Sequence, residues 1–71
     1  MQTDEATLRK TVAKNIAAYR KAHHDTQLDL ATKLNYSDKS VSKWERGEGL
    51  PDVYILAQIA QLYGVTVSNL I

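Results

Sequence analysis

The sequence predicts an all-α fold: a compact bundle of five helices in a single domain over residues 1–71. Three observations predict it. Apolar residues recur every three or four positions along most of the chain, the spacing of a helix face and not the alternation of a strand. Ser, Thr or Asp precedes most of these runs, where helices take their N-caps. Asn35, Gly47, Pro51 and Gly64 fall between the runs, where helices stop and start.

The first helix is expected over 5–22, with Leu8, Val12, Ile16 and Tyr19 as its core stripe. Thr3 or Asp4 caps it, and Asp4 and Glu5 suit its positive end. Residues 1–3 are expected to fray. His23, His24 and Asp25 follow as a polar loop. Two adjacent histidines do not point the same way and have no third ligand nearby, so no metal site is expected.

Thr26 is the expected cap of a second helix over 27–34, where Leu30, Ala31 and Leu34 share one face. Leu28 falls off that face and is expected to pack back on the first helix. Asn35 tolerates the positive φ that a sharp stop needs, Tyr36 covers the turn, and Ser37 caps the third helix over 38–45. Val41 and Trp44 face inward there, which makes Trp44 a core residue and not a platform for stacked bases. Ala31 is small where the two helices cross. Gly47 is expected to end the third helix with a positive φ, and Leu50 to anchor the loop that follows. Pro51 opens a fourth helix over 52–63, whose core stripe is Val53, Leu56, Ile59, Ala60 and Tyr63. Gly64 ends it, and Thr66 caps a last turn over 67–71.

Composition narrows the function. There is no cysteine, hence no disulfide and no thiolate metal site. The polar start MQTDEATLRK has no signal-peptide character, and no apolar run approaches membrane-spanning length, so a cytoplasmic protein with no membrane role is expected. Nine basic and eight acidic residues leave a net charge of +1, too little for a non-specific nucleic-acid coater, so any such surface must be local. Lys33, Lys39, Lys43 and Arg46 against Asp38 and Glu45 make the third-helix region mildly basic. No Ser, Cys or His stands in an activating motif and no Gly-rich loop could cradle phosphate, so neither an enzyme nor a cofactor is expected.

The stretch QLDLATKLNYSDKSVSKW, with Thr26-Gln27, Leu30-Ala31, Leu34, Ser37 and Val41, resembles helix-turn-helix domains of the Xre/Cro type, as in phage repressors. The run SKWERG from Ser42 to Gly47, Leu50-Pro51, Gly64-Val65-Thr66-Val67 and Leu70-Ile71 extend the resemblance over roughly residues 13–71. The departure is Asn35, where the family prefers Gly.

The resemblance implies a lambda-repressor-like domain of a transcriptional regulator, a repressor by expectation, reading double-stranded DNA with its third helix in the major groove. Asp38, Lys39, Ser40 and Lys43, with Ser37 at the helix start, are the residues placed to meet bases or nearby phosphates. Lys donates to guanine O6 and N7; Asp38 either accepts from cytosine N4 or caps the helix. By the same resemblance Gln27 and the start of the second helix hold phosphate, with Thr26, Lys33 and Arg46 as further phosphate contacts. Arg20 and Glu45 read from the chain alone as two separate surface charges; the resemblance implies that they form a salt bridge. A homodimer on a palindromic operator is implied, as is the N-terminal part of a longer regulator. The alternative is an antitoxin or interaction module of the same fold whose main partner is another protein.

Overall fold

In the computed structural model, which describes residues 4–71, the first element is α1 (Glu5–Ala22). Asp4 caps it. Its carboxylate accepts from the Thr7 N–H at 2.7 Å, and that bond holds the carboxyl below its ordinary pKa. Residues 1–3, with their expected fraying and Thr3 as the alternative cap, lie outside the described residues. Val12, Ala13, Ile16 and Arg20 form the buried stripe of α1, flanked by half-buried Leu8 and Tyr19.

α2 (Gln27–Leu34) and α3 (Asp38–Glu45) make the helix-turn-helix. The turn works because Asn35 takes the left-handed conformation, φ 60° and ψ 40°, and its N–H returns to the Ala31 and Thr32 carbonyls. The Tyr36 N–H then donates to the Ala31 carbonyl at 2.9 Å. An Asn at φ > 0 is strained less than most side chains, which is why this turn survives without Gly. Ala31 is completely buried at the crossing of the two helices. Gly47 follows α3 at φ 73°, and its carbonyl accepts from Arg9 Nε at 3.2 Å, which ties the loop to α1.

α4 (Val53–Leu62) is one residue shorter at each end than expected. Asp52 caps it, accepting from the Ile55 N–H at 2.9 Å, so Pro51 precedes the cap and does not open the helix. Its buried stripe is Ile55, Leu56, Ile59 and Ala60, closed by Tyr63. Val53 was expected in that stripe and is 79% exposed, because it lies in the first turn, before the covered part of the helix. Leu28 is also exposed and does not pack back on α1, and Leu50 is only partly covered. The expected last helix over 67–71 is a single 3-10 turn, Val67–Asn69, capped by Thr66. The chain leaves that turn because Leu70 drops into the core, fully buried, and its carbonyl accepts from Asn15 Nδ2 at 2.9 Å.

The core gathers Ile16 from α1, Leu30 from α2, Val41 from α3, Ile59 from α4 and Leu70, each 0% exposed. Burying a side chain of this size contributes about 1.5–3 kcal/mol. Val41 thus fixes α3 to this core through its inner face and leaves the outer face to solvent. Among the described residues there is no strand, and no helix is long and apolar enough to cross a membrane.

Candidate nucleic-acid interface

α3 is held from inside by two side chains. Val41 is fully buried and Trp44 is 7% exposed, its ring 5.5 Å from that of Tyr36. Trp44 therefore seals the turn and has no free face for a base. The residues between them, by helical spacing, point outward.

At the N-terminal end of α3, the Ser37 hydroxyl accepts from the Ser40 N–H at 3.2 Å and meets Ser40 Oγ at 3.1 Å. Ser37 is thus a cap first, and its hydroxyl is already engaged. Asp38 and Lys39 are exposed on the first turn and Ser40 is half-buried. Lys43 stands one turn after Lys39, exposed, with its stem along Gly49: its Cε lies 3.3 Å from where a Cβ at that glycine would be. Gly49 therefore leaves room for the lysine. Lys39 and Lys43 are not in any ion pair among the described residues.

The two other basic candidates are engaged. Lys33 Nζ donates to both carboxylate oxygens of Asp25 at 2.9 Å. Lys33 is the main reason that the Asp25 carboxyl lies below the ordinary carboxylate range. The Tyr63 hydroxyl also donates to Asp25, at 3.0 Å; burial first, and that bond second, push the Tyr63 pKa well above the ordinary phenol value. Arg46 grips Glu48 through Nε at 3.0 Å and Nη2 at 3.2 Å, and also contacts the Ser42 hydroxyl. Both Arg46 and Glu48 are half exposed, so this pair adds little stability, but it offsets the charge of Arg46 locally.

At the start of α2, Thr26 and Asp29 cap each other reciprocally. The Thr26 hydroxyl accepts from the Asp29 N–H at 3.0 Å, and the Asp29 carboxylate accepts from the Thr26 N–H at 2.9 Å. Asp29 was absent from the expected site. Its T-x-x-D spacing to Thr26 was the available signal, and its negative charge stands where phosphate was expected. Gln27 is half-buried, and its Nε2 donates to Glu45 Oε1 at 3.0 Å.

That glutamate belongs to the pair the resemblance implied. Arg20 donates through Nε to Glu45 Oε2 at 2.7 Å and through Nη2 to Oε1 at 2.9 Å. Its third nitrogen, Nη1, donates to the Asp25 carbonyl at 2.9 Å. The side chains are 11% and 7% exposed. The bond to Glu45 raises the guanidinium pKa above its ordinary value against the opposing effect of burial. One bidentate contact thereby joins the end of α1, the loop before α2 and the end of α3. The structure so brings Gln27 to the end of α3 and leaves Lys39 and Lys43 together on its outer face. Lys33 lies apart, tied to the loop before α2.

The histidine loop has a structural part. His23 Nδ1 lies 2.9 Å from the Tyr19 carbonyl, and its ring is 4.7 Å from that of Tyr63. Among the described residues no three His, Asp or Glu side chains gather as a metal ion would need.

A family model described as helix-turn-helix, HTH_3, matches residues 16–70. The cryptic phage CTXphi transcriptional repressor RstR of Vibrio cholerae serotype O1 is 34% identical over 59 residues, which are 83% of this chain and 53% of that protein. The HTH-type transcriptional activator BcrR of Enterococcus faecalis is 39% identical over 46 residues, 65% of this chain and 22% of that one. The chain thus spans about half the length of the first of these relatives and about a fifth of the second. Among solved structures, hydroxypropylphosphonic acid epoxidase from S. wedmorenis superposes with a TM-score of 0.79 at 26% identity, over 86% of this chain and 32% of that one.

Proposed function

The chain belongs to the helix-turn-helix family HTH_3, and from that premise we propose that it binds double-stranded DNA sequence-specifically as a domain of a transcriptional regulator, with α3 in the major groove. One observation carries the reading. The inner face of α3 is locked into the core by Val41 and Trp44, while its outer face presents Lys39 and Lys43, four residues apart and outside any ion pair among the described residues. A helix held by one face, with unpaired lysines on the other, has the mounting and charge that groove recognition needs.

Lys39, on the first turn, is assigned to guanine O6 and N7. Asp38 beside it accepts from cytosine N4 or serves the helix dipole. Ser40 and Lys43 reach the same groove or its phosphates. Gln27 is assigned to a phosphate, where contacts position the domain without reading sequence. Lys33 and Arg46 are minor phosphate contacts, since each must first release a carboxylate. The side chains of Thr26 and Ser37 cap their helices and the Thr26 amide donates to Asp29, so Ser37 offers DNA its backbone amide while Thr26 must first release Asp29.

One such module covers a half-site, so two copies occupy a palindromic operator with recognition helices about 34 Å apart. Regulation is repressive by the likeness to RstR, a reading that the likeness to the activator BcrR opposes. The cytoplasm is the assigned compartment, since a regulator works where its operator is. The enzyme reading has the epoxidase in its favour. A shared fold does not carry chemistry by itself, and the proposed site is built for binding, so no catalytic role is assigned. A protein-interaction module of this fold would present an apolar or acidic outer α3 face, and two lysines oppose that.

Selection of bound duplexes from a random library tests the proposal. Enrichment of an inverted repeat with half-site centres about one helical turn apart is the expected outcome. Absence of any enriched sequence would reject sequence-specific binding, and enrichment of a single unrepeated site occupied by one copy would reject the two-copy operator.

A further inference from the structure

We propose that Glu45 is a positioning residue for DNA backbone contact, orienting the Gln27 amide. The inference rests on the DNA-binding reading above. A carboxylate only accepts hydrogen bonds, so the amide atom that faces Glu45 Oε1 at 3.0 Å is the Gln27 nitrogen. Arg20 holds the same oxygen at 2.9 Å and the other at 2.7 Å, so the carboxylate cannot turn to follow the amide. Glu45 is 7% exposed and its charge is matched by Arg20, so it can stand behind a phosphate contact without repelling it. The glutamine is thereby ordered during folding, not during binding, and its second N–H remains for an incoming oxygen. A glutamine at a helix start would otherwise lose rotamer freedom on meeting DNA. The Arg20–Glu45 pair thus has a second role beyond joining α1 to α3.

The experiment measures affinity for a mixed-sequence duplex of about 20 base pairs at low salt, and for a library-selected site, using Glu45→Gln, Gln27→Ala and the double variant. Chemical denaturation establishes that each variant is folded at the working temperature. Glu45→Gln keeps the shape but removes the charge that fixes the amide. The expected result is a loss of roughly 2–10-fold from either single change, equal on both duplexes, with the double variant no worse than the poorer single. The free protein provides a readout that does not depend on any variant folding. The Gln27 side-chain amide should show one hydrogen-bonded, exchange-protected proton by NMR. A freely rotating Gln27 amide overturns the proposal, as does a loss on Gln27→Ala with none on Glu45→Gln, or losses that multiply. In those cases the DNA reading stands, because the unaltered protein still binds. If the unaltered protein binds neither duplex, that reading falls and the inference with it.

Discussion

The two ends of α3 treat charge in opposite ways. At its C-terminal end Glu45 is almost wholly withdrawn from water and held by three nitrogens, two from Arg20 and one from Gln27. At its N-terminal end Asp38 and Lys39 stand exposed, outside any ion pair among the described residues. The cause is desolvation. A charge removed from water must be paired and hydrogen-bonded or it destabilises the fold, whereas a charge left in water costs little and is available to a partner. Eight residues of helix therefore contain both a clamp and a contact surface. The difference also explains how a chain of net charge +1 can present a usable basic face. Arg9, Arg20, Lys33 and Arg46 are consumed in pairs, whereas Lys39 and Lys43 stand unpaired among the described residues, one turn apart on the outer face of α3. The other lysines outside these pairs, Lys10, Lys14 and Lys21, lie on α1.

Breaking the clamp is expected to have the largest effect. Glu45→Ala strands Arg20 and leaves the Gln27 amide without its acceptor, and should lower unfolding free energy by about 3 kcal/mol in chemical denaturation. Arg20→Ala should cost a similar amount, and the double variant less than the sum. Strict additivity would show that the two charges do not act as a pair and would remove one side of the contrast.

Lys39→Ala probes the other end. Its effect on stability should stay within about 0.5 kcal/mol, while binding to the preferred site weakens by about 1–3 kcal/mol and discrimination flattens at one or two base pairs. Gln27→Ala should instead weaken good and poor sites alike. Titration against a panel of single-base operator variants decides. If Lys39→Ala leaves the ranking of sites unchanged and Gln27→Ala reorders it, the reading face has been placed wrongly.

A smaller effect lies in the acid limb of stability. Asp25 is paired with Lys33 and Tyr63 and its carboxyl is held below the ordinary 3.8. A carboxyl with a depressed folded pKa stabilises the fold above its unfolded value, and that contribution disappears as pH falls through the folded one. The stability gap between the native protein and Asp25→Asn should therefore be constant near neutrality, and begin to close as pH drops past 3.8. Denaturation midpoints across that range measure it, and a gap that widens on acidification would contradict the assigned pairing.

The smallest effects should come from charges already engaged at the surface. Lys33→Ala and Arg46→Ala should each reduce the salt dependence of DNA binding by less than one unit of slope, and Lys39→Ala or Lys43→Ala by closer to one. Glu48→Gln frees Arg46 and should strengthen binding slightly at low salt. If Arg46→Ala lowers the slope as much as Lys43→Ala, pairing does not rank the cations and the comparison needs revision.

What the chain determines alone is whatever lies within about one helical turn. Apolar spacing gives the all-helical class and the helix-turn-helix. Ser37 and Asn35 mark the start of one helix and the stop of another, because a cap or a positive φ is satisfied by atoms three or four residues away. The Thr26–Asp29 capping box is local in the same sense, its T-x-x-D spacing closing both bonds within one turn. Val53 shows the limit of periodicity: spacing places a residue on a helix face but does not say where the covering helices end. The final 3-10 turn was likewise decided elsewhere, by Asn15 taking the Leu70 carbonyl from 55 positions away.

Only the tertiary structure decided which charges are partners. Arg20 meets Glu45 across 25 positions and Tyr63 meets Asp25 across 38; read from the chain alone, the first pair were two separate surface charges, and only the resemblance joined them. Gln27 is bound to Glu45, Lys33 to Asp25 and Arg46 to Glu48, so three expected phosphate contacts proved to have partners of their own. Helix formation is a local equilibrium of backbone bonds and can be read from neighbours. The availability of a charge depends on which side chains packing brings within about 3 Å, and on how much water remains there, and both are properties of the assembled core.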